Sequence, residues 1–357
     1  MKKRLIIISV IFALALPLFS ACGCSSREIL SFDNRFSGKT EIAAGYSQTL
    51  IYDVEYKTDE EGYAISQNFP DETVLKLEYG MGTAEFTFTA AVAFPAEVAS
   101  DLKAFAEGQN ALAYKLSYSF TIPLKVTLNG ESQEVEEKME SETYFMPANL
   151  SFAPVYSKTE SQYFVFSSNK TTAAASRLKI KSETVYNEET FSTTSYTEYL
   201  GFPAEDKEFG EPQSVEKKYD FRREIDNGSL LFAIRGITAD KDTGKTVPVN
   251  RFGETSELTF TKKQSAETVL PVTYNGTPYH DAKFSYDDIS YRINDVYSAG
   301  TAHRAYIQSG AVKSGETVNI PDLALPIVFF QPMQSISGEF DLYGCLKFTL
   351  KEVTVNG

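Results

Sequence analysis

Tryptophan is absent, histidine occurs twice, and cysteine holds three positions in 357 residues. Each scarcity excludes something. Without tryptophan the broadest stacking surface for a sugar ring is missing, and only tyrosine could substitute. His280 and His303 have no further His or free Cys at ligand spacing, so no zinc-type cluster is expected from them. Cys22 and Cys24 stand near the start and Cys345 near the end, which makes no disulfide framework. A Cys24–Cys345 pairing stays open, but the fold must be held mainly by its core. Long apolar runs are also scarce, and the one that stands out, residues 5–19, is broken by Ser9 and contains Pro17. It falls short of the roughly 20 residues that a spanning helix requires.

Catalytic and nucleotide-binding motifs fail residue by residue. Gly244, Lys245 and Thr246 echo the end of a phosphate-binding loop, but Ala239 stands where its first glycine belongs. Gly38, Lys39 and Thr40 fail the same test at Asp33. Asp240 and Asp242 open like a calcium loop that then meets Lys245 and Arg251 at its glycine and glutamate places. Neither a G-x-S-x-G elbow nor an H-E-x-x-H helix occurs. Carboxylates are plentiful, so a glycosidase pair stays open. The adjacent pairs Asp287–Asp288 and Glu60–Glu61 read as turn or surface charges. The expectation is a protein that is not an enzyme and uses no cofactor or metal.

The N-terminus reads as a secretory signal: Lys2, Lys3 and Arg4, the short apolar run, then small Ser20 and Ala21. Leu18-Phe19-Ser20-Ala21-Cys22 resembles the lipobox of bacterial lipoproteins, with Phe19 where an aliphatic residue is usual. The resemblance implies that Cys22 becomes the acylated N-terminus. The implied layout is a signal over 1–21, a tether over 22–40 and a β-rich domain over 41–357. The location implied is the extracytoplasmic face of the cell membrane. The formal charge of −14 becomes three units more negative once the basic residues leave. Such a surface repels nucleic acid and anionic lipid headgroups, so membrane attachment is expected through acyl chains.

The rest favours strands, with 21 Tyr and 26 Phe beside abundant Thr and Val. Period-2 alternation marks Leu50, Tyr52, Val54 and Tyr56, then Leu75, Leu77 and Tyr79, then Phe86, Phe88, Ala90, Val92 and Phe94. The longest alternation runs from Leu112 to Leu128, with Asn129 and Gly130 ready to form a tight hairpin. It reads either as one long strand of a strongly curved sheet or as two strands meeting at Pro123. Asn275 and Gly276 mark another hairpin. Shorter strands are expected within 178–186, 258–261, 269–274, 283–293, 327–330 and 346–355. Two short helices are expected. One lies between Pro95 and Gly108; the other is capped by Asp226 or Asn227 and stopped by Gly236. Residues 201–218 are polar and aperiodic, a surface loop or a boundary between lobes.

Several segments together resemble an uncharacterised family of bacterial envelope proteins related in fold to the lipoprotein carriers LolA and LolB. They are residues 48–57, 143–158 with Pro154, the helix from Asp226 to Arg235, and 344–353. The stretch 161–218 is longer than that family's pattern. The resemblance implies an incomplete β-barrel curved around a short helical plug, with an apolar hollow. The fold expected is therefore mainly β: a large curved antiparallel sheet, or half β-barrel, with one or two short helices on its concave side. The alternative is a two-lobed β-sandwich acting through its surface, in adhesion or in an envelope complex. Candidate residues lining a site for a lipid or other apolar ligand are Phe86, Phe88, Phe94, Leu116, Tyr118, Phe120 and Ile122. These same side chains would serve equally as a closed core. The anchor is directly testable: Cys22→Ser should abolish palmitate labelling while Cys24→Ser leaves it intact, and a labelled Cys22→Ser protein would refute the assignment.

Overall fold

The computed structural model describes residues 42–357 except 68, 109–111, 147–152, 170–171, 201–208, 219–223, 237–243, 245, 252, 295–301 and 335–341. Cys22, Cys24, the Asp240–Asp242 turn and residues 201–208 of the 201–218 stretch lie outside the described residues. The first run of strands is β1 (Ser47–Lys57), β2 (Leu75–Tyr79), β3 (Gly82–Val92), β4 (Ala113–Leu128) and β5 (Glu131–Met146). It continues through β6 (Ala153–Asn169), β7 (Thr172–Tyr186), β8 (Thr190–Leu200) and β9 (Gln213–Lys218), with helix α1 (Ser100–Gly108) between β3 and β4. Next come β10 (Ile225–Asp226), a 3-10 turn (Asn227–Ser229) and helix α2 (Leu230–Gly236). The second run is β11 (Thr246–Arg251), β12 (Glu254–Tyr274), β13 (Thr277–Asn294), β14 (Ala302–Gln308) and β15 (Val312–Ser314). It closes with β16 (Thr317–Ile320), β17 (Pro326–Gln334) and β18 (Leu342–Asn356).

All of these strands except the β15–β16 hairpin join one 16-stranded sheet. Its order is β10-β11-β12-β13-β14-β17-β18-β1-β3-β4-β5-β6-β7-β8-β9, with β2 also on β4. The C-terminal strand β18 welds the two runs together by pairing with β1 from Ser47↔Asn356 to Lys57↔Cys345. The sheet is mixed rather than purely antiparallel, because β10–β11 and a short β12–β18 contact are parallel. That contact, reinforced by Asn275 N–H donating to the Val353 carbonyl at 2.9 Å, closes β12, β13, β14, β17 and β18 into a ring.

A sheet this wide coils under its own twist, since neighbouring strands rotate by about 20–25°. Here the coil brings the far ends of the hydrogen-bonded path back together, with no ladder between them among the described residues. Lys217 on β9 pairs with Glu254 on β12 at 2.5 Å, and the Asn250 amide of β11 donates to the Tyr186 hydroxyl of β7 at 2.7 Å. The architecture is a half-barrel, mainly β, with its seam bridged by side chains. Residues 213–218, expected as loop or boundary, form the edge strand β9 on β8.

The alternation from Leu112 forms one continuous strand, β4, and Pro123 sits inside it. Pro123 lacks an N–H, but its neighbour on that edge changes there from β3 to β2, where the Gly80 N–H donates to the Pro123 carbonyl at 2.9 Å. Asn129 (φ 51°) and Gly130 (φ 89°) make the β4–β5 turn, and Asn275 (φ 47°) and Gly276 (φ 78°) the β12–β13 turn. The strands expected at 258–261 and 269–274 are parts of one strand, β12, bulged at Lys262–Gln264 and Leu270–Val272. Between 131 and 200 the alternation is weak because the buried face is polar: Glu137, Ser141, Thr143, Ser157, Ser161, Ser182, Thr184 and Thr193 are all buried.

Helix α2 enters the main core, where Phe232 stacks on Phe88 at 4.7 Å and Ile234 is fully buried. Helix α1 belongs instead to a separate cluster in which Leu102 and the preceding Val98 pack with Met146, Val155 and Tyr156. A seven-residue helix is not stable alone, so α2 depends on its attachments. Asp226 caps the preceding turn through Gly228 N–H at 2.7 Å and accepts from Ser157 at 2.8 Å, Tyr186 at 2.5 Å and Thr143 at 3.5 Å. A Cβ on Gly228 would come within 2.1 Å of the Thr143 hydroxyl, so only glycine admits this approach. At the other end Arg235 donates to Gln48 at 2.6 Å and to the Leu323 and Ala324 carbonyls at 2.8 and 3.1 Å.

Replacing Asp226 with alanine removes a cap and strands several buried donors. It should cost about 2–5 kcal/mol in denaturant unfolding, with Asp226→Asn intermediate. An alanine variant as stable as the parent would show that the helix is held elsewhere.

Candidate functional site

The concave face carries a half-open cavity of about 290 Å³. Its volume is near the lower end of the roughly 300–1,000 Å³ of small-ligand pockets. One wall is β3 and β4, where Phe86 and Tyr118 stack at 4.1 Å, and Phe329 of β17 meets Phe86 edge-on at 5.8 Å. A second wall is Tyr163, Phe164, Leu178 and Ile180 from β6 and β7. Tyr291 and His303, stacked at 5.0 Å across β13 and β14, line a third side, and Leu230 and Leu231 of α2 a fourth. Met139 and Met333 contribute pliable thioethers. Strands from both runs of the chain and the helix between them therefore bound a single hollow.

The polar groups in this lining are few: Glu137, Asn227, Arg251, His303, Gln331 and the tyrosine hydroxyls. Glu137, on β5, is almost wholly buried. Its Oε1 accepts from the Tyr79 hydroxyl at 3.2 Å and from the Phe164 N–H at 3.1 Å, while Oε2 has no hydrogen-bond partner among the described residues. Burial pushes its carboxyl up to about 7, against the two hydrogen bonds that favour the charged form. Burial likewise pushes the Tyr163 phenol up to about 12, although Arg251 opposes the shift.

The residues expected to line a ligand site are not all brought together. Phe86 and Tyr118 line the cavity. Phe88 and Leu116 border a much smaller gap, about 10 Å³, beneath Leu231, Phe232 and Arg235. Phe120 and Ile122 are buried in the main core, and Phe94 packs with α1's cluster, away from the others. Sequence reasoning missed Glu137, Met139, Tyr163, Leu178 and Ile180, because β5 to β7 carry little apolar alternation. The one available signal was that Glu137 falls at the period-2 inward position between Val135 and Met139.

The acidic pair Asp287–Asp288 departs from its expected surface role. Asp288 is fully buried and bidentate to Arg304, with Nη2–Oδ2 at 2.6 Å, whereas Asp287 meets Lys262 at 3.1 Å and the Ser265 hydroxyl at 2.7 Å. These are cross-strand ties rather than an acid–base pair. Cys345 is a buried free thiol whose pKa burial pushes up to about 12, so it is unreactive. Among the described residues no group of three His, Cys, Asp or Glu could hold a metal ion, and no helix is long and apolar enough to cross a membrane.

No protein-family model and no curated protein matches the chain. Among solved structures it is similar to the crystal structure of a β-barrel-like protein, a domain of unknown function from Brucella abortus. The two share 8% identity at a TM-score of 0.41, over 88% of this chain and 99% of that one.

The raised carboxyl of Glu137 has a thermodynamic consequence. Its folded pKa lies above the unfolded value, so the folded state holds more protons between about pH 4.5 and 7, and stability falls as pH rises through that window. Glu137→Gln should therefore stabilise the protein at pH 8 by on the order of 3 kcal/mol at most, with the gain vanishing by pH 4.5. Paired denaturant titrations check this, and an equal effect at both pH values would contradict the buried, destabilised charge.

Proposed function

We propose that this protein is a non-enzymatic lipoprotein, tethered through Cys22 to the extracytoplasmic face of a membrane, that holds an acyl chain or similar apolar ligand in its half-barrel. The observation that carries the reading is the hollow itself: apolar and aromatic side chains from β3, β4, β6, β7, β13 and β17, with Leu230 and Leu231 of α2, bound a volume that the core leaves unfilled. The acidic surface supports attachment by lipid rather than by charge, and the resemblance to LolA- and LolB-related envelope proteins supports the ligand class.

The chain from Ser25 onward contains every described strand and helix, so it serves as a body free of its anchor. Purified and extracted with organic solvent, it should yield a stoichiometric lipid by mass spectrometry. Filling the hollow with Leu178→Trp should cut that yield several-fold while leaving the melt cooperative. Because the parent lacks tryptophan, Tyr163→Trp would also report binding through a lone fluorophore. A folded protein that carries no lipid and whose reporter ignores added acyl chains would overturn the reading in favour of a surface-interaction role.

A further inference from the structure

We propose that Glu137 is the polar end of the ligand subsite and that the ligand it takes carries an ammonium group on an apolar body. The inference rests on the apolar-ligand reading above and adds the chemistry of the headgroup. A carboxylate offers about four acceptor positions, and the two protein donors that reach Glu137, Tyr79 O–H and Phe164 N–H, both go to Oε1. Oε2 is buried without a partner among the described residues, on a side chain that lines the cavity. Such an atom is costly to keep unless a donor or a cation reaches it.

The surroundings favour a cation. Phe86, Tyr118, Tyr163 and Tyr343 line the same hollow, and the negative faces of aromatic rings attract an ammonium group as a carboxylate does. A wholly apolar ligand would leave Oε2 bare, and an anionic head would set like charge beside it. The titratable groups facing Glu137 are phenols: Tyr56 of β1, Tyr79 of β2, Tyr163 of β6 and Tyr343 of β18. Burial raises the pKa of all four, so none adds charge near neutrality. Arg251 of β11 and His303 of β14 line the cavity as well, and Arg251 is the group an anionic head would seek. The chain's net charge of −14 concentrates cations around the protein before they enter.

The test uses the delipidated chain from Ser25 onward and three probes with the same apolar tail: octylammonium, octanol and octanoate. Isothermal titration at pH 8 should rank octylammonium about tenfold or more above octanol. Because burial holds the Glu137 carboxyl near 7, that advantage should shrink as pH falls from 8 to 6. Glu137→Gln should bring octylammonium to the level of octanol. Equal affinity for all three probes, or octylammonium binding indifferent to Glu137→Gln, would overturn this inference while the apolar-ligand reading stands. A preference for octanoate that disappears in Arg251→Gln would overturn it by assigning the polar end to Arg251. A cooperatively folded protein that binds none of the three would overturn both.

Discussion

The carboxylate of Asp226 receives hydrogen bonds from Ser157, Tyr186, Thr143 and the Gly228 N–H, and through them the short plug α2 is fixed to β5, β6 and β7. That point of attachment ties the coiled sheet across its concave side. Tyr186 also accepts from Asn250, so one residue on β10 and one on β11 are tied to strands close to the opposite end of the sheet. Where a closed barrel would use a ladder, this fold uses a few buried polar side chains. The arrangement leaves room inside, since α2 covers only part of the concave face.

Three of the four buried acidic residues among those described differ in how they are satisfied. Asp288 has a bidentate guanidinium partner in Arg304, and Asp226 has donors on both oxygens. Glu137 has donors on one oxygen only. The first two are explained by holding strands and helix together. The third stands in the wall of the hollow, and its half-satisfied carboxylate is the observation behind the polar end proposed for the ligand subsite. The inner face is divided to match: apolar over β1 to β4 and β12 to β18, and rich in Ser, Thr and Glu over β5 to β8.

Much of the first half of the fold was legible. The alternation of Leu116, Phe120, Ile122, Leu124 and Val126 specified β4 and its buried face, and the two Asn-Gly turns specified their hairpins. Asp226 and Gly236 bracketed the plug helix, because an Asx cap and a terminal glycine act locally. Strands β5 to β8 were much less legible, since period-2 analysis detects burial only when the buried residues are apolar, and there Ser141, Thr143, Ser182 and Thr184 point inward. Asp288 was misread for a related reason: a buried carboxylate announces itself only once its cation, 16 residues away on the next strand, is in place.

The sequence by itself determined the β class, the buried alternation of β4, the tight turns, the capped helix and the acidic surface, all of which depend on residues within a few positions of each other or on composition. Tertiary structure alone decided which apolar residues would be core and which would face a hollow. Phe120 and Phe86 carry the same alternation signal, yet the first is sealed in the core and the second lines the cavity. The difference lies in how far the sheet has coiled at each point and in what the plug covers. Those quantities are set by pairings between residues as distant as Ser47 and Asn356, which no local pattern encodes.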